Sequence, residues 1–574
     1  EETLNRLIGF IEASWQPFEW MNVMNRTGVD TYSEQRKSYW DRQSNEFTDL
    51  GGAIFDENFN QRNITNDLIV TIDHEIASDF NAQYIVGHSF QDFNSTSYIV
   101  DGFDFVVDDF YDMSNVASIN VTADDFLDRR RIVGLFGDFS FDYKRTYYLT
   151  LTGRNDWSST LPVDNNSFFY PSVSLGFVPT EMVDLGWLEY VKLRGSYAVT
   201  GNDAFASYLT SNFFVSGGST QGQLSYFPSS TIGSNTLNPE FTNSFELGTD
   251  IRSRNNRVRL DLTYYHTSST DQIVQIPIAN STGYSSVITN IGEIQNQGIE
   301  ALVNFNVVER QVSKPNKVWW NSSLNFTRNR SEVIALTDEL DNIALASNGL
   351  ASTQSRVIIG QQYGVLFGSR WLRNDNGDIL VNDNGLPLLD DPGIIGDPNP
   401  DFTIGWRNNV GWRNWELTFL LDIRRGGDIY NGTRAVMTTL GTHADTEDRD
   451  EEIIFDGVIA SGERAGESND VRIRKEQLYR NYGLVNVSEE FVEEVNWVRM
   501  RDVSLTYNFA PALLDKVGIE RASFSLTARN LFLITNYTGI DPETSLGGGS
   551  NAFGRDYFNN PNTRSYGFNL TVTL

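Results

Sequence analysis

The residues that could do chemistry are few, and their spacing argues against catalysis. The four histidines, His74, His88, His266 and His443, are scattered along the chain. No two stand at a metal-ligand spacing, and no Gly-x-Ser-x-Gly elbow presents a nucleophile. The chain has no cysteine, which removes disulfides, thiolate metal sites and a thiol nucleophile. The glycine-rich stretch at 547–550 has neither the lysine nor the following helix of a phosphate-cradling loop. An enzyme is therefore not expected: no catalytic residue and no resident metal is assigned.

Binding chemistry has more to offer. The stretch "RNDNGDILVNDNGLP" (373–387) contains Asn-Asp-Asn-Gly twice. Asp375, Asn376 and Asp378 are oxygen donors of the kind calcium takes. Their order lacks the EF-hand spacing, and Asn-Gly is the strongest short hairpin signal. Two turns of a surface β-excursion are expected, with a calcium loop as the alternative. The run "HADTEDRDEEIIFD" (443–456) is the densest acidic segment. Such a run is by default a solvated face; otherwise it would meet a partner protein, a polysaccharide or divalent ions. Tyr226, Phe227 and Trp371 fall in long polar stretches where their rings could stack on sugars or peptide side chains. Together with Arg154, which alternation turns toward the polar face, they form the candidate substrate-binding set.

The elements that must position these residues alternate with a period of two. Ile299, Ala301, Val303, Phe305 and Val307 are separated by Glu300, Asn304 and Asn306, with Leu302 the exception. Trp415, Leu417, Phe419, Leu421 and Ile423 alternate with Glu416, Thr418, Asp422 and Arg424, and Val503–Phe509 repeats the pattern. Each such segment is a strand with one apolar face and one polar, often charged, face. Connections alternate too. "DYKR", "RSRNNR" and "GWRN" are short, whereas 201–239, 336–400, 431–495 and 538–562 are long, far beyond the usual loop of about 4–6 residues. Short turns at one end and long loops at the other are the mark of a transmembrane antiparallel β-barrel of an outer membrane. A soluble sandwich would have short connections at both ends. A mean hydropathy of −0.35 does not oppose the reading, because only alternate residues face lipid. Tyr143, Tyr147, Trp319, Trp320, Trp412, Trp415 and Trp497 near strand ends fit interfacial girdles. The formal charge of −31 disfavours a nucleic-acid partner.

The terminal "SYGFNLTVTL" keeps Tyr566, Phe568, Leu570, Val572 and Leu574 on one face to its last residue, as a closing barrel strand would. About seventeen strands are expected, with residues 4–33 the least regular. A bacterial barrel should have an even count, so further strands are expected upstream of residue 1, and residues 1–574 are expected to be the C-terminal portion of a barrel.

Ordered motifs carry a family resemblance. "RNDWSSTLP" (154–162), "YPSVSLGF" (170–177), "LRGSYAVTGN" (193–202), "NIGEIQNQGIE" (290–300), "GDPNPDFTIGW" (396–406), "WVRMRDVSLTYNF" (497–509) and "ARNLFLITNYTGIDPE" (528–543) occur in sequence. The set resembles SusC-like and RagA-like TonB-dependent transporters of Bacteroidetes outer membranes. The resemblance implies a barrel of about 22 strands, an even count within the bacterial range, around an N-terminal plug, with a TonB-contacting segment upstream. Neither plug nor that segment is found in this sequence. It also implies a SusD-like surface lipoprotein as lid, TonB as power source, and import of oligomeric glycans or peptides. Two other functions fit such a barrel: a passive porin, and a scaffold within a larger secretion or assembly complex with other envelope proteins.

Overall fold

The computed structural model describes residues 1–574 except 45–49, 118–119, 221–222, 311–315, 338–339, 348–352, 482–486, 516–517, 548–549 and 552. The middle of the 547–550 glycine stretch thus lies outside the described residues. Long strands dominate: β1 (Glu2–Phe18), β2 (Met21–Trp40), β3 (Ala53–Ala77), β4 (Phe80–Phe103), β5 (Val121–Tyr143), β6 (Tyr147–Ser158), β7 (Ser167–Phe177), β8 (Leu188–Asn202) and β9 (Glu240–Ser253). They continue with β10 (Val258–Pro277), β11 (Ser286–Val308), β12 (Trp319–Ala335), β13 (Phe402–Trp412), β14 (Trp415–Arg425), β15 (Trp497–Asn508), β16 (Arg521–Arg529) and β17 (Ser565–Thr573). The poorly alternating residues 4–33 thus belong to two full strands. Among the described residues, no helix is long and apolar enough to cross a membrane.

The expected alternation of connections is present. Along the chain, tight turns at 19–20, 78–79, 144–146, 254–257 and 413–414 contrast with the long connections 203–239, 336–401, 426–496 and 530–564. Lys144 and Arg145 (φ 53° and 50°) and Asn255 and Asn256 (φ 67° and 52°) adopt left-handed backbone there. That geometry matches the twist of flanking strands in a tight hairpin.

The chain divides into two compact units. The first comprises Glu1–Phe177, Gly195–Ser244 and Ser269–Ile291. In it β1 to β7 form an antiparallel meander in unbroken order. One face carries register rows such as Trp15, Val23, Val70 and Val86; the other carries Arg26, Asp30, Asp67 and Asp73. Trp15 and Val86 are 67% and 55% exposed, an apolar surface no soluble wall would leave bare. The unit's packed cores lie elsewhere, at the long-loop end: Leu161, Phe168, Ala204, Leu237, Ile273 and Ile288 in one, Ile54, Phe105 and Val116 in another.

The second unit comprises Val178–Arg194, Phe245–Ser268 and Gly292–Leu574. Here β11 to β17 pair antiparallel in chain order. Val303, Leu324, Trp406, Leu421 and Met500 make one apolar row across five strands. Leu302, Asn325, Gly405, Asp422 and Arg499 make the neighbouring row on the polar face, so Leu302 is the apolar exception on that face. The long connections fold into their own layer, which contains α1 (Gly432–Leu440) and α2 (Lys475–Asn481). Its cores are Leu366, Tyr430, Ala435 and Phe491, and Ile429, Val495, Trp497 and Tyr537.

Of the expected girdle residues, Tyr143, Tyr147, Trp412 and Trp415 are exposed beside the tight turns, with Trp415 and Tyr507 ring centroids 4.8 Å apart. Trp497 is a correction: it opens β15 at the long-loop end and is 7% exposed within a loop core, so it does not face an interface.

Candidate functional site

The family-like motifs meet in pairs at the long-loop ends of the strands. In the first unit, Arg154 and Asp156 follow each other on the polar face of β6. Arg154 Nε donates to Asp156 Oδ2 over 3.0 Å, and the Tyr170 hydroxyl of β7 donates to the same oxygen. The Arg154 guanidinium lies 5.6 Å over the Phe136 ring. A Cβ on Gly134 would come within 2.2 Å of Arg154 Nη2, so glycine makes room for that arginine. One turn of the pattern further, Ser158 and Thr160 donate to Asp203, and Arg130 forms a two-pronged ion pair with the same carboxylate. Asp203 is 3% exposed. A buried carboxylate is tolerable only with such a full set of donors. The segment 154–162 is therefore a clamp joining β5, β6, β7 and the start of the 203–239 loop. Asp203 was not singled out from sequence; its only signal is its position directly after the Thr-Gly-Asn that ends β8.

In the second unit, Arg499 pairs with Asp541, and Arg501 with both Asp422 and Glu543. The arginines belong to "WVRMRD", Asp541 and Glu543 to "GIDPE" and Asp422 to β14, so two motifs 42 residues apart in sequence meet in one network whose Arg499–Asp541 pair is buried. Asn562 adds a 2.9 Å bond to Asp541, and the Glu543 amide donates to the same carboxylate over 3.0 Å. Burial works to raise the pKa of Asp541, and the bonds from Arg499 and the Glu543 amide overcome it, so the carboxyl stays below its usual range. "GDPNPD" is a second staple: Asp397 and Asp428 exchange bonds of 2.8 and 2.7 Å, and Asn399 reaches the Tyr363 carbonyl at 3.0 Å. Nearby, the Tyr537 hydroxyl donates to Asp556 over 3.0 Å, and burial pushes both groups above their ordinary pKa.

The four candidate contact residues fare differently. Arg154 is on the polar face as expected, but its guanidinium is engaged by Asp156 and Phe136. Tyr226 and Phe227 lie on the hairpin of strands Phe214–Thr220 and Gln223–Pro228, 61% and 58% exposed, with faces open to a ligand. Trp371, in the second unit, is 4% exposed. Its amide donates to Glu489 over 2.9 Å and its indole N–H to Glu490 over 3.3 Å, so its role as an exposed platform is corrected to that of a core residue of the loop layer.

The doubled Asn-Asp-Asn-Gly forms two turns, as expected. Asn374 Oδ1 accepts from the amides of Asn376 and Asp378, and Asn382 Oδ1 from those of Asn384 and Leu386. Gly377 and Gly385 take the left-handed positions (φ 90° and 75°). Side-chain oxygens accepting from the amides two and four residues on are what tighten both turns. Among the described residues, no three His, Cys, Asp or Glu side chains gather to hold a metal. The acidic run is largely answered from within: Lys475 pairs with Asp448 and Glu451, Arg434 with Asp445, and Arg472 with Glu452. Tyr479 of α2 donates to Asp448 over 2.7 Å; burial first, then that carboxylate, pushes its pKa up to about 12.

Comparison with known proteins agrees with this geometry. Residues 12–531 match the family model for the TonB dependent receptor-like β-barrel. TonB-dependent receptor P3 of Formosa agariphila is 25% identical over 553 residues, covering 90% of this chain and 53% of that protein. TonB-dependent receptor SusC of Bacteroides thetaiotaomicron is 23% identical over 458 residues, 74% of this chain and 43% of that one. The RagAB peptide importer in its closed-closed state superposes on 100% of this chain and 62% of its own, with a TM-score of 0.79 at 19% identity. This chain spans about half the length of the curated relatives it matches. It belongs to the TonB-dependent receptor family and is a SusC/RagA-like antiparallel β-barrel of the outer membrane.

Proposed function

We propose that the protein imports oligomeric nutrients, glycans or peptides, across the outer membrane in a TonB-dependent cycle, with a SusD-like surface lipoprotein as lid. The observation that carries this reading is the stapled loop layer. Each unit fixes its long connections to its strands with an ion pair on a buried carboxylate, Arg130–Asp203 in one and Arg499–Asp541 in the other. A firm rim is what a lid and a captured oligomer both need, since ordering loose loops at each binding event would cost affinity. Exposed Tyr226 and Phe227 supply aromatic faces on such a rim. Family membership supports energy coupling through TonB, and the likeness to SusC and to the RagAB importer supports the lipoprotein lid.

The test is uptake of labelled oligosaccharides and oligopeptides by cells carrying or lacking the gene, with and without a protonophore, alongside purification of the intact protein. Proton-gradient-dependent uptake of one class, with a lipoprotein copurifying, is the expected result. Uptake indifferent to the gradient would make the protein a porin. Normal growth on every nutrient, with secretion or barrel-assembly components copurifying, would make it a scaffold.

A further inference from the structure

The apolar face of the first unit changes character toward its long-loop end. On the face that carries Trp15, Val23, Val70 and Val86, the row Gly9, Val29, Ile64, Asp92 and Arg131 lies closer to the long loops. The next row is Leu7, Thr31, Arg62, Asn94 and Arg129, and the one after that Asn5, Ser33, Asn60 and Thr96. Because side chains alternate strictly, all of these point the same way as the apolar band, away from the charged face.

Eight of these residues, Asn5, Leu7, Thr31, Ser33, Asn60, Arg62, Asn94 and Thr96, line one concavity of about 730 Å³. Amides and hydroxyls dominate it, in the mixture of donors and acceptors that saccharide hydroxyls require. Arg62 is exposed and has no ion-pair partner among the described residues. Arg129 and Arg131 both donate to Asp92, over 3.3 and 2.7 Å, while their side chains stay 41% and 50% exposed. Three arginines against one carboxylate leave a local positive excess on a chain of formal charge −31. Arg62 and Arg129 stand two strands apart in one row, about 10 Å, a span that a phosphorylated sugar bridges. Guanidinium forks suit phosphate oxygens.

We propose that this outward groove binds the phosphorylated saccharide headgroup of an outer-leaflet glycolipid. The lipid's acyl chains lie along the apolar rows, its sugars contact the amides and hydroxyls, and its phosphate is held by Arg62 and Arg129. The occupant is a lipid because the same face leads from the groove through mixed rows, in which Ile11, Phe90 and Val133 and then Leu68 and Leu135 stand beside Asn66, Asn25 and His88, to the apolar row of Trp15 and Val86. A soluble sugar phosphate would leave that continuity unused. Most of its lining points away from the polar face, with Leu4, Arg6, Tyr32 and Gln61 completing it, and the proposal does not rest on the transport reading.

Native mass spectrometry of the intact protein extracted from its own outer membrane tests this. The wild type is expected to retain a phosphorylated glycolipid. Arg62→Ala with Arg129→Ala should lower its occupancy about tenfold, as loss of charge-assisted bonds to phosphate implies, while Asp92 keeps its 2.7 Å bond from Arg131 and the barrel still assembles. Arg62→Gln alone, at an exposed and unpaired residue, should lower occupancy while Arg62→Lys keeps most of it. Excess inorganic phosphate should fail to displace the lipid, and enzymatic dephosphorylation of the lipid should weaken it. Equal occupancy in wild type and the double variant would overturn the proposal. So would displacement by inorganic phosphate alone, or a protein subunit covering Asn60 and Arg62 in hydrogen exchange.

Discussion

Arg499 donates to Asp541 with the two side chains only 2% and 6% exposed, tying the first turn of β15 to the 530–564 connection. Removing one partner of a buried pair strands the other charge, at a cost of about 3–5 kcal/mol. Arg499→Ala should therefore lower the melting temperature sharply and open the 530–564 loop to protease. Replacing both partners with apolar residues, Arg499→Met with Asp541→Leu, should recover much of that loss. Thermal melts of the two variants decide it: a double variant no more stable than Arg499→Ala would show that the charges themselves are required.

Gly298 of β11 is fitted against Tyr265 of β10: a Cβ at this position would sit 2.4 Å from the tyrosine hydroxyl and 2.5 Å from the Arg328 carbonyl. Gly298→Ala should cost about 1–3 kcal/mol by overpacking. Gly9→Ala on β1, where a Cβ meets nothing within 4 Å, should be silent. Gly292 adds a second constraint of a different kind, with φ at 79°. Parallel unfolding titrations of the two alanine variants check the contrast.

Much of this architecture was legible in the chain because period two is a local signal. Each strand announces its two faces through residues such as Val303 and Asn304, and the contrast of tight turns with long connections marks the barrel. The loop layer was not legible, because its contacts are distant in sequence. Nothing local to Trp371 reveals that Glu489 and Glu490 will cover it, and nothing around Arg499 names Asp541. The motifs showed that these segments matter; only the fold shows that they matter by meeting each other. Trp497 looked like an interface tryptophan for the same reason, since a strand-end position does not say whether lipid or a loop core lies beside it.

Val303 lies in the apolar row with Leu324, Trp406 and Leu421. Val303→Arg should cost about 2–4 kcal/mol in a bilayer, the price of a cation facing lipid near the midplane. The neighbouring Asn304→Arg, on the polar face, should cost far less. Folding into vesicles followed by denaturant unfolding measures both, and equal penalties would reverse the assignment of faces.

Trp371 and the pair Tyr226 and Phe227 should separate stability from recognition. Trp371→Ala empties a core position and should destabilise the second unit by about 3–5 kcal/mol. Tyr226→Ala with Phe227→Ala removes two exposed rings and should leave the melting temperature in place. Uptake per assembled molecule should fall for the pair; if it does not, the hairpin is not a contact surface.

Acid should loosen the connection between β4 and β5. Asp112 is held at a pKa of about 2 by the backbone and hydroxyl of Ser114 and by Lys37, and the Tyr111 hydroxyl holds Asp41 below its usual range as well. Both carboxylates are depressed in the folded state, so their stabilisation is complete above about pH 4 and is lost as pH falls toward 2. Hydrogen exchange at Asn115 and Val116 should accelerate through that window. Asp112→Asn should exchange fast at every pH and show a flatter profile.

The β-excursion built on the doubled Asn-Asp-Asn-Gly begins and ends at one place. Leu380 donates to the Leu372 carbonyl, Leu388 to that of Leu380, and Leu372 back to that of Leu388, over 2.8, 2.9 and 2.9 Å. Three leucines at intervals of eight residues thus close a ring of backbone bonds. The excursion is also held from outside, since Val458 donates to the Ile379 carbonyl and Ala460 to that of Val381, each over 2.9 Å. The ring therefore cannot be lengthened or shortened alone: any change of register between Leu372 and Leu388 would also shift the strand at 458–459, so the two segments behave as one joint of the loop layer.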